Sequence, residues 1–365
     1  MSKKKEFIDY VKNGGDRILC SPQIGCGAGY DAKLHNLQWI SSCSPEHTVK
    51  VTRRYAMHPL YNIGIDPIMH CKNLGWVCDS FDKNEKRAIW KKHIETPFGR
   101  LERWSEERPR MGSFNIRDAV NNEHDLNKLE YVLDTAIKET DFSCYTEYAR
   151  SMAEFFNDEG PVSFQWGMQP YELFSFANTI TNALLAIDFE ERFFSLMDKA
   201  LKLDYKIIDA LEGTGIDFVF LGGPGVEVIS PSYYEKFIVP YSKLVTKYAH
   251  EKGFLIYSHI CSPIEPMLTM GYYNEMGIDL FETLSPKPEG NIISLADAFS
   301  KLNPDICTRG NVSLSLMING TPKEIKDEVK KIIDAAQGRK HIIAASDYLV
   351  YDVPEENVIA LCEAV

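Results

Sequence analysis

The sequence predicts an α/β protein built as a (β/α)₈ TIM barrel with N-terminal decorations over the barrel mouth. Through the C-terminal half, short apolar segments alternate with helix-type segments, which is the rhythm of parallel βα units. The strand segments are apolar throughout, as expected of a sheet buried on both faces. No glycine-rich nucleotide-binding motif follows any of them, and this favours a barrel over an open doubly wound sheet.

The N-terminal half is less regular. Residues 17–25 and 160–166 are candidate barrel strands, because each contains a short apolar run. Between them, residues 94–109 alternate like a short hairpin and residues 125–139 have helical periodicity. We expect a single domain in which residues 45–150 are mostly insertions around the barrel mouth.

The C-terminal half predicts five buried strands, at residues 216–223, 254–261, 278–285, 305–312 and 341–346. Four helices separate these strands, at residues 230–253, 263–277, 294–302 and 321–338. Thr321 followed by proline marks the start of the last helix, and Gly338 marks its end. Its apolar residues recur at helical spacing: Ile325, Val329, Ile332, Ile333 and Ala336.

Composition limits the class of function. The chain has 365 residues, of which 44% are hydrophobic, and a net charge of −12 with a pI of about 5.3. An acidic protein of this kind is a poor candidate for binding nucleic acid. No apolar run reaches the roughly 18 residues that a membrane span requires. Nine cysteines without an export signal indicate reduced thiols in a cytoplasmic protein.

Polar side chains mark the C-terminal ends of the predicted strands, where barrel enzymes carry their active sites. They are His259 and Cys261, then Glu282, Asn311 and Asp347. Because parallel strands end at the same rim, we expect these residues to converge at one mouth.

The pair His259 and Cys261 suggests a metal site. Residues two apart on a strand point the same way, and imidazole, thiolate and carboxylate together are ligands of zinc. Glu282 lies 21 residues beyond Cys261, on the next strand, and is the expected third ligand. The fourth position would be open, or be held by Asp347 or Cys307. Taken alone, a His-x-Cys pair is a weak signal, because core thiols and hydrogen-bonded histidines are common and ordinary core packing accounts for such pairs more often than a metal does.

Two long segments resemble the uroporphyrinogen decarboxylase superfamily. They read "GGPGVEVISPSYYEKFIVPYSKLVTKYAHEKGFLIYSHIC" and "GNVSLSLMINGTPKEIKDEVKKII", the latter followed by "DVPEENVIALCEAV". The resemblance covers residues 215–365. This superfamily contains decarboxylases and cobamide-dependent methyltransferases, and both are (β/α)₈ barrels.

The resemblance implies a metal centre of the methyltransferase branch. In that branch a His-x-Cys motif and a distal cysteine bind zinc; His259 and Cys261 match the motif, and Asp347 stands at the position of the distal cysteine. Cobalamin-independent methionine synthase, a more distant relative, adds a glutamate, and Glu282 in "FETLS" has a similar position. The decarboxylases carry an arginine-rich N-terminal segment, whereas the matching "SPQIGCGAGYDAKL" contains no arginine.

The function implied is that of a zinc-dependent methyltransferase. It would move a methyl group from a small donor, such as an aromatic methyl ether, to cob(I)alamin on a corrinoid protein, as the O-demethylase component. Three alternatives stay open: a methylcobamide:thiol methyltransferase, a decarboxylase, and a non-catalytic zinc-binding barrel. Tyr30, Trp166, Tyr257 and Asn311 are the candidate substrate contacts. We expect a homodimer as well as the corrinoid partner.

Overall fold

The computed structural model describes residues 1–25, 27–66, 68, 70–166, 176–225 and 229–365. The strands within these residues are, in chain order, β1 (Tyr61–Gly64), β2 (Val77–Lys83), β3 (Ala88–Ile94), β4 (Leu101–Glu107), β5 (Ser113–Arg117), β6 (Val162–Gln165), β7 (Phe218–Phe220), β8 (Leu255–His259), β9 (Leu280–Glu282), β10 (Cys307–Val312) and β11 (His341–Ala345). A seven-stranded parallel sheet has the order β1-β6-β7-β8-β9-β10-β11, and β2 to β5 form a four-stranded antiparallel sheet.

Helices connect the strands of the parallel sheet. The α-helices are α1 (Lys3–Asn13), α2 (Tyr30–Leu34), α3 (Pro45–Arg54), α4 (Glu123–Glu139), α5 (Ser143–Phe156), α6 (Thr179–Asp188), α7 (Glu190–Leu211), α8 (Pro231–Tyr233), α9 (Val239–Glu251), α10 (Tyr272–Glu275), α11 (Leu295–Lys301), α12 (Leu314–Asn319), α13 (Pro322–Ala335) and α14 (Glu355–Glu363). A π-helical turn, Tyr234–Ile238, joins α8 to α9.

The register of the central strands aligns three side chains. His259 on β8 is opposite Glu282 on β9, and Glu282 is opposite Arg309 on β10. Side chains at equal height on neighbouring strands lie on the same face of a sheet. The pairing of β8, β9 and β10 therefore brings imidazole, carboxylate and guanidinium together near the C-terminal ends of the strands.

Residues 19–21 extend the sheet beyond β11. Ser21 donates its N–H to the carbonyl of Ile343 at 2.8 Å, and Ile343 donates to the carbonyl of Leu19 at 2.8 Å. On the other side, His58 donates its backbone N–H to the carbonyl of Cys20 at 2.9 Å, just before β1. The predicted parallel α/β sheet is confirmed. Closure into a continuous eight-stranded barrel is not, because no described ladder joins residues 19–21 to β1.

The C-terminal predictions hold for all five strands, since each contains one of β7 to β11. Ser294 caps α11, and Thr321 caps α13 in a reciprocal capping box with Glu324. The helix predicted over 263–277 is wrong in length, because only α10 forms there. Two prolines lack the N–H donors that a helix needs, and Gly271 adopts a left-handed conformation with φ of 78°.

In the N-terminal half, one strand of the main sheet lies within the segment expected to consist mostly of insertions. The expectation that residues 45–150 are mostly insertions overlooked β1, which pairs with β6 in the main sheet. The four residues of β1 are too short to give a periodic signal. The hairpin predicted at 94–109 is present as the turn between β3 and β4, and the helix predicted at 125–139 lies within α4.

Helix α1 covers the amino-terminal end of the parallel sheet. Its Phe7, Tyr10 and Val11 belong to the same buried cluster as Phe218 and Cys307 from the strands. The Tyr10 hydroxyl also donates to the backbone carbonyl of His341 at 2.9 Å. Because this end is filled by apolar side chains, the carboxyl ends of the strands are left to carry polar chemistry.

Candidate metal centre

Three of the four predicted metal ligands lie together. His259 is the last residue of β8, Cys261 follows it by two residues, and Asp347 follows β11. One ligand atom from each lies within 4.8 Å of the others. Nε2 of His259 is 3.4 Å from a carboxylate oxygen of Asp347. The arrangement offers one nitrogen, one sulfur and one oxygen to a single ion.

Glu282, the fourth predicted ligand, lies outside this group. Its Oε1 accepts a hydrogen bond from Nδ1 of His259 at 2.6 Å and another from the Tyr257 hydroxyl. Its Oε2 accepts from the Gln23 amide at 3.0 Å and from Nε of Arg309. Both oxygens are already engaged, so the carboxylate stands behind the imidazole as its hydrogen-bond partner.

This contact fixes the histidine tautomer. A carboxylate that accepts from Nδ1–H leaves the lone pair of Nε2 for a metal, which is the usual arrangement around metal-binding histidines. Nε2 is also the atom that faces Asp347. The orientation of His259 is therefore set from β9, through Glu282, before any ion binds.

A buried ion pair between Glu282 and Arg309 lies beside the imidazole of His259. The side chains of Glu282 and Arg309 are 0% and 2% exposed. Burial alone would raise the pKa of Glu282, but the charge of Arg309 and the hydrogen bond from His259 lower it to about 2. Burial would likewise lower the pKa of Arg309, and the Glu282 charge more than offsets this. Both groups are charged at neutral pH.

His259 itself favours the protonated form when no ion is bound. Burial lowers the pKa of its imidazole, but hydrogen bonds to Asp347, Cys261 and Glu282 raise it well above its ordinary value. A metal ion that binds Nε2 would have to displace that proton. Metal binding at this site would therefore release a proton.

Arg309 extends the network along the sheet, toward β8 on one flank of β10 and toward residues 19–21 beyond β11 on the other. Its terminal nitrogens donate to the Ser21 hydroxyl and the Tyr257 hydroxyl, each at 3.2 Å. Tyr257 in turn lies 3.4 Å from the hydroxyl of Tyr348, whose ring centroid is 5.2 Å from that of His259. Sequence reasoning missed Arg309. The available signal was a charged residue at the centre of an apolar strand, in the alternating position between Cys307 and Asn311.

Cys307, the alternative fourth ligand, is too deep in the sheet. It lies two residues before Arg309 on β10, toward the amino-terminal end, and packs in the buried cluster with Tyr10 and Leu280. Burial raises the pKa of its thiol to about 12. A fully buried, protonated thiol among apolar side chains is a packing residue, and it is not part of the described ligand group.

Two predicted substrate contacts have no surface to offer a ligand. Tyr30 is 0% exposed, and its hydroxyl lies 3.1 Å from that of Tyr55. Trp166 donates its indole N–H to the buried carboxylate of Asp204 on α7 at 2.9 Å. Trp166 directly follows β6, and its ring lies 6.2 Å from that of Phe164, so the indole packs on the side of the sheet that faces α7. Both residues build the core.

The other two predicted substrate contacts also have structural partners. Tyr257 is fully buried and donates to Glu282. Asn311 is 7% exposed, and its amide donates to the carbonyl of Leu284 at 2.8 Å, which ties β10 to the segment after β9. Of the two, Tyr257 belongs to the network that holds His259, whereas Asn311 holds a loop.

The donor set fits zinc. Imidazole nitrogen, thiolate and carboxylate oxygen are the three ligand types that zinc takes in proteins, and a catalytic site keeps a fourth position open. A hydrogen-bonded carboxylate behind the imidazole completes the arrangement.

Elsewhere in the described chain, none of the helices combines the length and apolar character needed to cross a bilayer.

Comparisons with known proteins agree with this fold. The family model for uroporphyrinogen decarboxylase (URO-D) matches residues 116–365. Uroporphyrinogen decarboxylase of Geobacter metallireducens is 26% identical over 180 residues, 48% of this chain and 49% of that protein. The enzyme of Prochlorococcus marinus NATL1A is 28% identical over 141 residues, 37% of this chain and 36% of that protein. The chain thus aligns with half or less of the length of these relatives.

A solved structure, a methyltransferase from Methanosarcina mazei, superposes with a TM-score of 0.69 at 14% identity. It covers 100% of this chain and 98% of that one, and the likeness is one of fold. The family model spans more than half of the sequence, including His259, Cys261, Glu282 and Asp347. The chain therefore belongs to the uroporphyrinogen decarboxylase (URO-D) family.

Proposed function

We propose that the protein is a zinc-dependent methyltransferase that moves a methyl group from a small methyl ether to cob(I)alamin carried by a corrinoid protein. The observation that carries this proposal is the three-atom group of His259, Cys261 and Asp347, with Nδ1 of the histidine held by Glu282. Bound zinc would act there as a Lewis acid that polarises the donor oxygen.

The ligand set favours an oxygen donor over a thiol. One thiolate leaves more positive charge on the ion than two thiolates would, and an oxygen ligand makes the site harder. Asp347, where the related methyltransferases carry a cysteine, supplies that difference. Glu282 and Arg309 keep the imidazole fixed, because their own charges are paired away from the ion.

The proposal does not require aromatic side chains around the methyl donor. Tyr30 and Trp166 are core residues, so an aromatic donor has lost its main support. We therefore define the donor only as a small molecule whose reacting group is a methyl on oxygen.

The decarboxylase alternative has less support at this site. The carboxylates of a porphyrinogen require cationic partners. Arg309 is engaged by Glu282 and is 2% exposed, so it offers no free charge. The non-catalytic alternative predicts a saturated four-ligand site, whereas the described group supplies three protein ligands.

A methyl-transfer assay tests the proposal. Zinc-loaded protein is mixed with chemically reduced cobalamin and a panel of methyl ethers, and methylcobalamin is measured by its absorbance. We expect methylcobalamin with at least one ether and none with Cys261→Ser. Methyl transfer only from methylcobalamin to a thiol would support the thiol alternative. Release of CO₂ from uroporphyrinogen, without methyl transfer, would overturn the proposal.

We also propose that the seven strands and residues 19–21 form a closed eight-membered ring. The hydrogen bonds of residues 19–21 to Ile343 on one side and His58 on the other support this. The cytoplasmic location, the corrinoid partner and the homodimer stay predictions.

A further inference from the structure

Two cysteines outside the metal centre lie in contact. The Sγ atoms of Cys20 and Cys362 are 3.7 Å apart. Cys20 is buried in the segment that pairs with β11, and Cys362 lies on α14 near the end of the chain, with an intermediate exposure. The two thiols are 342 positions apart in sequence, so the fold itself creates this pair.

The pair is reachable from outside through Cys362. This residue lines a surface cavity of about 450 Å³, whose other walls include Arg54, Tyr55, Glu355 and Ile359. Cys20 is 8% exposed and does not line the cavity. A reagent in this cavity therefore meets the Cys362 thiol first and finds a second thiol directly behind it.

We propose that Cys20 and Cys362 form a dithiol modification site that a low-molecular-weight disulfide converts to an internal disulfide. The sulfurs must approach from 3.7 Å to about 2.05 Å for the bond to form. One partner is accessible and the other is adjacent but shielded, which is the arrangement of an attacking and a resolving cysteine.

The chemistry balances in two exchanges. The Cys362 thiolate attacks the small disulfide RSSR, forming a mixed disulfide and releasing one RSH. The Cys20 thiolate then attacks the Cys362 sulfur, forming the internal bond and releasing a second RSH. The protein dithiol loses two electrons and two protons, and the reagent gains both. The hydrogen bond to Cys362 and burial raise the pKa of the Cys20 thiol, which supports Cys362 as the first attacker.

The disulfide would be connected, through the residues that follow Cys20, to the hydrogen-bond network around His259. Ser21, the residue after Cys20, accepts a hydrogen bond from Arg309 through its hydroxyl. Gln23, two residues beyond Ser21, donates from its amide to Glu282. Because side chains alternate along an extended segment, Cys20 reaches α14 on one side while Ser21 reaches Arg309 on the other. Oxidation would thus tie the last helix to the segment that supports the His259 network.

Peptide mapping tests the proposal. The full-length protein is incubated with oxidised glutathione, the remaining thiols are alkylated, and a non-reducing digest is analysed by mass spectrometry. We expect a cross-linked peptide containing Cys20 and Cys362 in most molecules. In Cys20→Ala, the reaction should stop with one glutathione on Cys362, and in Cys362→Ser neither product should form.

Cys78 provides the matched control, because it is exposed and remote in sequence from both residues. Cys78→Ser should leave the yield of the cross-linked peptide unchanged. If wild-type protein accumulates glutathione on Cys362 without the cross-link, or remains unmodified at both cysteines, the proposal is wrong. Circular dichroism of each variant checks the fold, and Cys20→Ser replaces Cys20→Ala if the latter does not fold.

Discussion

Nδ1 of His259 lies 2.6 Å from the carboxylate of Glu282, on the side of the imidazole opposite the atom that faces Asp347. The glutamate would therefore act on a bound metal ion through the histidine. It fixes the tautomer, and it carries a negative charge that Arg309 balances within the buried interior. This relationship separates the residues that could bind an ion from the residue that would position one of its ligands.

The first prediction concerns Glu282→Gln. The variant leaves the buried Arg309 without its counter-ion, so the free energy of unfolding should fall by about 3–5 kcal/mol, measured by urea denaturation. Zinc affinity should fall by about 10–100-fold, measured by competition with a chelator, because only the orientation of His259 is weakened. Glu363→Gln, at an exposed ion pair with Lys326, is the control and should change neither quantity by more than a small amount.

The second prediction concerns the coupling between Glu282 and Arg309. Arg309→Met alone leaves a buried carboxylate without its main charge partner and should be strongly destabilised. The double variant with Glu282→Gln removes both charges, so its loss of stability should be smaller than the sum of the single losses by about 0.5–3 kcal/mol. Strictly additive losses would mean that the two groups do not depend on each other.

The third prediction concerns Trp166→Phe. The change leaves one oxygen of the buried Asp204 without its indole donor, which should cost about 1–3 kcal/mol of stability in urea denaturation. Methyl transfer by the folded variant should keep the wild-type KM, because the indole faces the helix layer. A large increase in KM with unchanged stability would restore Trp166 as a substrate contact.

The fourth prediction concerns His341, which is fully buried at the start of β11. Burial lowers the pKa of its imidazole from 6.5 to about 4. Between these values the unfolded chain binds the proton and the folded chain does not, so the stability contribution is complete above pH 6.5. It is lost as the pH falls toward 4, by about 3 kcal/mol in total.

Chemical denaturation across this pH range checks the fourth prediction. His341→Asn should flatten the loss of stability between pH 6.5 and pH 4, since the new side chain does not titrate. His124→Asn is the matched control, because it makes the same substitution at a histidine that is exposed on α4. An unaltered slope in His341→Asn would assign the acid sensitivity to other groups.

Much of the C-terminal fold could be predicted from the sequence, because five buried parallel strands follow one another there with helical segments between most of them. Ser294 and Thr321 are helix caps as predicted, since capping is a local interaction. The four residues of β1 were missed, because a strand of that length has no periodicity and its pairing with β6 is made at a distance of about 100 residues.

The candidate site was predictable in its members but not in their roles. Strand order brings His259, Glu282 and Asp347 to one rim, and sequence spacing suffices for that inference. Whether Glu282 reaches the ion or the far side of the imidazole depends on side-chain positions a few ångströms apart. Arg309 decides this by forming an ion pair with the Glu282 carboxylate. That pairing between neighbouring strands could not be inferred from sequence spacing alone.

Zinc K-edge X-ray absorption on the metal-loaded protein tests the central claim most directly. With His259, Cys261 and Asp347 as ligands, we expect one sulfur at about 2.3 Å, one imidazole, and oxygen at the remaining positions. Glu282→Gln and Cys307→Ala should give the same first shell, whereas Cys261→Ser should lose the sulfur. Two sulfur ligands in the wild-type protein, or loss of one oxygen ligand in Glu282→Gln, would contradict the account.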